Sequence, residues 1–364
     1  MSLLKKIFGK KENPIITYDD FWNWFLEHEK SFFKIVKKGK NIEKDFFDKL
    51  SPKLDELNDG FLLLTGMYDD NTAELIITPD GIIKNIVFVE ELVNVAPQIS
   101  GWKFTALKPP TAIDKFSINM SAYIFDTESL FFYPNDNPNY PDEIDISIVH
   151  LNYKEEDKSI ITNGIYIFLD NYLGELNAVT TIDNLRVIGK PEAEKELIPI
   201  DKLKAFLIWR QKEFLEKYEG ERYDTENDNY SSMEAKLKNG SPLIAIINTT
   251  LLEWDCKASH PWILNFEMKY DGCNYNGMPD PKTYEFLNSL ENEVIEKLKD
   301  FDGYLNIGRE TAENSRKVFF ACKDFRKPSI VMYELTKKYS DRIEISYEIY
   351  KDKYWQTFDR FIPD

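Results

Sequence analysis

From Trp262 onward the chain alternates in a way that few folds accommodate. Trp262, Leu264, Phe266, Met268 and Tyr270 are large and apolar, and smaller or polar residues separate them. This is the period of a strand with one buried face. Residues 272–281 break the run. Residues 281–300 then place Tyr284, Leu287, Val294, Ile295 and Leu298 on one helical face, with Glu285, Glu291, Glu293, Glu296 and Lys297 elsewhere. Residues 304–308 and 317–322 read as two short antiparallel strands joined by a polar hairpin loop at 309–316. Pro328 and Ser329 precede a second helical spacing at Ile330, Val331, Leu335 and Tyr339. A last strand at 343–350 turns Ile343, Ile345, Tyr347 and Ile349 inward. The order β-α-β-β-α-β predicts a ferredoxin-like unit, with two helices on one face of an antiparallel sheet.

Three segments of this region carry a resemblance. Gly308-Arg309-Glu310-Thr311, the strand that follows Arg316, and Tyr350-Lys351-Asp352-Lys353-Tyr354-Trp355 resemble the bacterial family catalogued as domain of unknown function 695. The resemblance covers roughly the last hundred residues. It implies an α+β domain without an assigned activity, found in some bacterial proteins beside a domain like the regulator of ribonuclease activity B. No stretch of this sequence reads as that neighbouring domain.

A length of 364 residues suggests about two domains. The expected organisation is a basic leader at 1–16, an N-terminal α+β domain at 17–198, a connecting helix and acidic linker at 199–247, and the ferredoxin-like domain at 248–364. In the leader, Leu3, Leu4, Ile7 and Phe8 alternate with lysines, as in a short membrane-surface helix or a frayed terminus. Residues 18–38 put Phe21, Trp22, Phe25, Phe32, Phe33 and Val36 mostly on one helical side, a packing face. Residues 42–57 form a second amphipathic helix, with an interruption expected at Ser51-Pro52. Residues 61–67 and 73–78 are strands, 84–96 a helix and 101–108 a returning strand. Further strands are expected at 116–125, 130–133, 144–151 and 179–188, with a buried helix at 161–173. Counted from Ala73, the order again approximates β-α-β-β-α-β. A helix at 203–218 is expected to brace one domain against the next.

A net charge of −17 disfavours nucleic acid, whose recognition draws on Lys and Arg neutralising phosphates. Nothing approaches the ~20 apolar residues a membrane-spanning helix requires. Three cysteines without a CxxC pair suit a reducing compartment, so a cytoplasmic location is expected.

The sharpest chemical grouping is Cys256, Ser259 and His260, next to Asp255. In an extended chain Cys256 and His260 stand about 13 Å apart at ~3.3 Å per residue, so a local nucleophile and base require the chain to fold back. As zinc ligands Cys256, His260 and Cys273 number three, and Cys322 would have to join them in space. Asp224, Glu226 and Asp228 have calcium-loop spacing, but Asn229 and Ala235 stand where the glycine and the bidentate glutamate belong. Arg309, Glu310, Asp352 and Trp355 fall at element ends, where an arginine beside an indole can hold an anionic or planar ligand. The same residues can instead pin the hairpin through an Arg309–Asp352 or Glu310–Lys351 ion pair. No cofactor is expected. Two function classes follow: a binding or regulatory module whose partner is another protein, or a small-molecule hydrolase or transferase with a pocket at the domain junction.

Overall fold

A computed structural model describes residues 14–362. Residues 1–13 of the expected basic leader lie outside them. The fold class is α+β. The chain divides into two compact units, Met1–Pro109 and Pro110–Asp364, and the division falls inside the span 17–198 expected as one domain.

In the first unit, α1 (Tyr18–Lys38) opens on a reciprocal cap. The Thr17 hydroxyl accepts the Asp20 N–H, and the Asp20 carboxylate accepts the Thr17 N–H. Gly39, at φ 61°, ends it. α2 (Asp48–Asp55) carries Pro52 within it, and the irregularity expected there sits upstream, as a wider helical turn at Glu43–Phe47. β1 (Leu62–Met67), β2 (Ala73–Thr78) and β3 (Trp102–Ala106) form a sheet with β2 central, antiparallel to β1 and parallel to β3. α3 (Ile83–Asn94) makes the crossover, so the expected β-α-β unit is present. The aromatic face of α1 packs on this sheet, with Trp22 and Phe25 against Phe104 and Trp102.

The second unit begins with a hairpin of β4 (Ile118–Met120) and β5 (Tyr123–Phe125). A four-stranded sheet follows in the order β8-β7-β6-β9, built from β6 (Leu130–Asn135), β7 (Asp145–His150), β8 (Asn184–Gly189) and β9 (Ile198–Pro199). The six elements counted from Ala73 therefore lie in different sheets and do not repeat the C-terminal pattern as one domain. α4 (Lys158–Leu173) packs so closely on the β4–β5 hairpin that a Cβ at Gly164 would fall 2.0 Å from the Phe125 ring. The strand expected at 179–188 is in part α5 (Glu175–Thr180), because the chain turns at Gly174 and winds again before β8. α6 (Leu203–Lys217) sends Leu203 and Leu207 into the core of this same sheet.

The remaining chain builds one antiparallel sheet in the order β10-β11-β13-β14-β12-β15. Its strands are β10 (Tyr230–Lys236), β11 (Pro242–Asn248), β12 (Trp262–Lys269), β13 (Tyr304–Ala312), β14 (Ser315–Cys322) and β15 (Glu344–Lys351). α7 (Thr249–Leu252), α8 (Pro281–Lys297) and α9 (Arg326–Tyr339) complete the elements. Two expectations are corrected. The stretch 199–247 is not a helix and linker alone, since β10 and β11 add two strands to the edge beyond β13. The loop expected at 309–316 is mostly strand, because the reversal needs only Glu313 and Asn314, both at positive φ (48° and 65°).

Side-chain alternation divides the sheet's faces. Ala245, Ile247, Ile263, Leu305, Ile307, Phe319 and Ala321 pack under Trp355, Phe358 and Phe361 of the closing 3₁₀ segment. Buried Leu264, Phe266, Val318 and Phe320 occupy the opposite pleat positions, and Leu287, Leu290, Val331 and Leu335 are the buried apolar residues of α8 and α9. Gly308 sits at a register shift in the β13–β14 pairing with φ 140°, and a Cβ there would lie 2.2 Å from the Ile246 carbonyl oxygen. Gly308→Ala should destabilise the fold by about 2–4 kcal/mol through combined clash and backbone strain. Urea denaturation followed by circular dichroism checks this, with Gly66→Ala, which meets open space, as the comparison.

Candidate functional site

Arg309 and Glu310 lie within β13 and project to opposite faces. Arg309 donates to Glu291 of α8 at 2.8 Å and to the Tyr284 hydroxyl at 3.4 Å. Glu310 accepts from Arg360 of the closing segment at 3.1 Å. Arg316, 1% exposed, reaches the same Glu291 at 3.6 Å and donates to Asn288 at 2.8 Å. Asp352 caps the closing segment by accepting the Gln356 and Thr357 N–H groups and the Thr357 hydroxyl. The pairs formed are thus Arg309–Glu291 and Glu310–Arg360, in place of Arg309–Asp352 and Glu310–Lys351. Of the five residues singled out in the sequence, Trp355 and His260 meet: the buried indole N–H donates to the His260 carbonyl at 2.9 Å.

His260 is fully buried, and its tautomer follows from its neighbours. The Ser259 hydroxyl lies 2.6 Å from the Cys256 carbonyl, which can only accept, so the serine proton is spent there. The 2.8 Å contact between Ser259 Oγ and His260 Nδ1 then requires the histidine to donate. Nε2 is left as a bare, buried acceptor. Burial, reinforced by the nearby charges of Lys323 and Arg222, lowers this imidazole from its ordinary 6.5 to about 3. Burial and the carboxylates of Glu221 and Asp255 push the Cys256 thiol up, away from the nucleophilic thiolate. Asp228 accepts from Tyr223 and Asn248, and Asp224 accepts the Glu226 N–H, so these acidic side chains serve their own loop. Among the described residues no group of three or more His, Cys, Asp or Glu stands ready to hold a metal ion.

The charged centre of the second unit lies elsewhere, at the end of β15. Lys351 Nζ donates to the Thr180 carbonyl at the end of α5 at 2.6 Å and reaches Asp183 Oδ1 at 2.6 Å. Lys353 Nζ donates to Asp183 Oδ2 and to the Asp142 carbonyl, both at 2.7 Å. Asp183 also accepts the Ile144 N–H at 2.7 Å. Asp142 takes Lys217, Tyr218 and Tyr354 together, and although burial pushes its carboxyl up, these donors hold it below the usual range. Burial lowers Lys351 to about 8 despite the Asp183 charge. Beside the lysines opens a cavity of about 340 Å³, walled by Phe214, Trp262 and Phe325 and lined by Lys323, Arg326 and both lysines. Its lining includes no Ser, Cys or His side chain that could act as nucleophile or base. In the sequence Lys351 and Lys353 stand out only within the segment that resembles the family, and Lys351 as a possible partner for Glu310, because Asp183 is some 170 residues away and no local spacing links them.

Two outcomes are expected. Between pH 6.5 and 3 the unfolded chain binds a proton at His260 that the folded chain refuses, so stability falls as pH drops through that window. His260→Gln should flatten this stretch of the stability curve, and the ¹⁵N shifts of the wild-type ring should report a neutral Nδ1–H tautomer at pH 5. Asp183→Asn should cost about 3–5 kcal/mol in urea, since it removes the carboxylate to which both buried lysines are paired and leaves them only the more distant charge of Glu143. Adding Lys351→Met and Lys353→Met to that variant should recover most of the loss.

No curated protein and no solved structure matches the chain. Residues 233–362, from within β10 to the closing 3₁₀ segment, match the model of a family of unknown function, DUF695, the family that the C-terminal sequence resembles.

Proposed function

We propose that this protein is a non-catalytic binding module whose partner is another protein, acting in the bacterial cytoplasm. The supporting observation is where reactive and sticky groups lie. Cys322 and His260 are buried and Glu291, Glu310 and Asp352 are bonded within the chain, whereas α6 turns Ile208, Trp209 and Leu215 outward, 59%, 53% and 62% exposed. Three large apolar side chains on two turns of one helix suit a helix-face contact with a partner's apolar groove. The net charge of −17 favours a partner of opposite sign during approach. In this reading the C-terminal region is a ferredoxin-like unit. The strands β15-β12-β14-β13 and helices α8 and α9 supply its order, and β10 and β11 extend it as an edge hairpin. The lining of the cavity suits binding, and its deeper lysines are paired with Asp183 and its Asp324 with Arg326, so the hydrolase or transferase reading is not adopted.

The test is affinity capture from the native host with the full chain and with an Ile208→Glu, Trp209→Glu variant. Both positions are exposed, so the variant should retain its melting temperature. Sedimentation of the purified chain separates a second copy of itself from a different partner. The reading predicts a partner held by the wild type and lost from the variant. Identical recovery from both, or none from either, contradicts it.

A further inference from the structure

The cavity at the end of β15 has a charge opposite to that of the molecule. Lys323, Arg326, Lys351 and Lys353 line it, against one lining carboxylate, Asp324. Asp183 and Glu143, which act on the two deeper lysines from outside the lining, still leave the group at +1 by simple count, four cations less three anions. The chain as a whole carries −17. A positive recess in so acidic a protein is not an accident of overall composition, and low-dielectric walls concentrate its field.

The four cations play two parts. Lys351 and Lys353 are buried and bound to Asp183 and to backbone carbonyls, so they set the potential at the floor. Lys323 and Arg326 stand nearer the mouth. Lys323 donates to the Glu221 carbonyl, using one of its three N–H groups. Arg326 keeps a third of its side chain exposed, and its Nη1 donates to Asp324 at 2.9 Å. Arg326 is also the first residue of α9, whose N-terminal end adds a partial positive charge at the same place. The walls are aromatic: Trp262 and Phe325 meet edge to face at 4.9 Å, with Phe214 also lining the cavity. A volume of about 340 Å³ suits a small ligand and falls at the lower end of the usual range for such pockets.

We propose that this cavity binds a small organic anion, with its phosphate or carboxylate group on Lys323 and Arg326 and a planar or apolar body against Phe214, Trp262 and Phe325. The cavity shares Leu215 with the outward face of α6, whereas Ile208 and Trp209, the positions changed to test that face, do not line it. The anionic group displaces Asp324 from part of the Arg326 fork, a geometry a guanidinium accommodates because it offers five donors.

The test is calorimetric titration of the full chain with phenyl phosphate, inorganic phosphate and phenol. Phenyl phosphate should bind most tightly, inorganic phosphate more weakly, and phenol should not bind at concentrations up to about 10 mM. Indole fluorescence should change with phenyl phosphate, because Trp262 forms a wall. Arg326→Gln, at a partly exposed position, should keep its melting temperature and weaken phenyl phosphate roughly tenfold, the loss expected for one charge-assisted hydrogen bond. Lys323→Gln should act in the same direction, and if that variant fails to fold, Arg326→Gln decides alone. No binding of phenyl phosphate at about 10 mM, or equal affinity in wild type and Arg326→Gln, overturns the proposal. Equal affinities for phosphate and phenyl phosphate overturn the aromatic part of it.

Discussion

The second unit depends on one carboxylate set between two buried ammonium groups. Asp183 stands at the start of β8, and Lys351 and Lys353 stand where the C-terminal sheet ends, 7%, 16% and 4% exposed by side chain. Removing such charges from water costs several kcal/mol per ion, and the attraction offsets it only when the remaining donors and acceptors are filled. Here the Thr180 and Asp142 carbonyls and the Ile144 N–H fill most of them, and Asp183 Oδ1 keeps only its ion-pair contact with Lys351. An interaction of this kind adds little net stability over a well-packed apolar contact. Its effect is to fix one arrangement, since a slip of either element strands a charge in a dry place.

This gives a physical account of the segment Tyr350-Lys351-Asp352-Lys353-Tyr354-Trp355. Lys351, Lys353 and Tyr354 bind the layer of β6 to β8 through Thr180, Asp183 and Asp142. Asp352 caps the closing 3₁₀ segment, and Trp355, at φ 57°, turns the chain so that its indole reaches the His260 carbonyl beneath the sheet. Each of the five consecutive residues from Lys351 thus holds a partner, Lys351 and Lys353 sharing Asp183 and Lys353 and Tyr354 sharing Asp142. Gly308, in the other segment that resembles the family, is there because backbone passes where a side chain would stand. These positions act as scaffold, and the cavity beside them is a consequence of two layers joined by charge rather than by apolar side chains alone.

Much of this architecture was legible in the sequence, for reasons that particular elements make plain. α8, α9 and β15 are each buried mainly on one face, so their apolar period matches their burial, and β12 keeps its large apolar side chains on alternate positions although Ile263 is buried on its other face. β10 escaped because it is an edge strand, mostly exposed, whose composition is that of a polar linker. The signal that could have found it was Asn239-Gly240 between two runs, the second of them the apolar Leu243-Ile244-Ala245-Ile246-Ile247. The turn at Glu313-Asn314 gave no such signal, since glutamate is an unusual occupant of positive φ. Arg309, Glu310, Asp352 and Trp355 were noticed as a polar group, but their partners Glu291, Arg360 and His260 lie far along the chain or across the sheet. The lysine–Asp183 centre and the cavity needed the docking of two layers, which no spacing within either encodes.

If Asp183 and its two lysines couple the two layers of the second unit, those layers open as one. Native-state hydrogen exchange, read amide by amide in wild type and in Asp183→Asn, tests it most directly. The account predicts that the variant lowers protection in β6 to β8 and in β12 to β15 together and by similar amounts. Loss confined to the strands around β8, with the six-stranded sheet as protected as before, would contradict it.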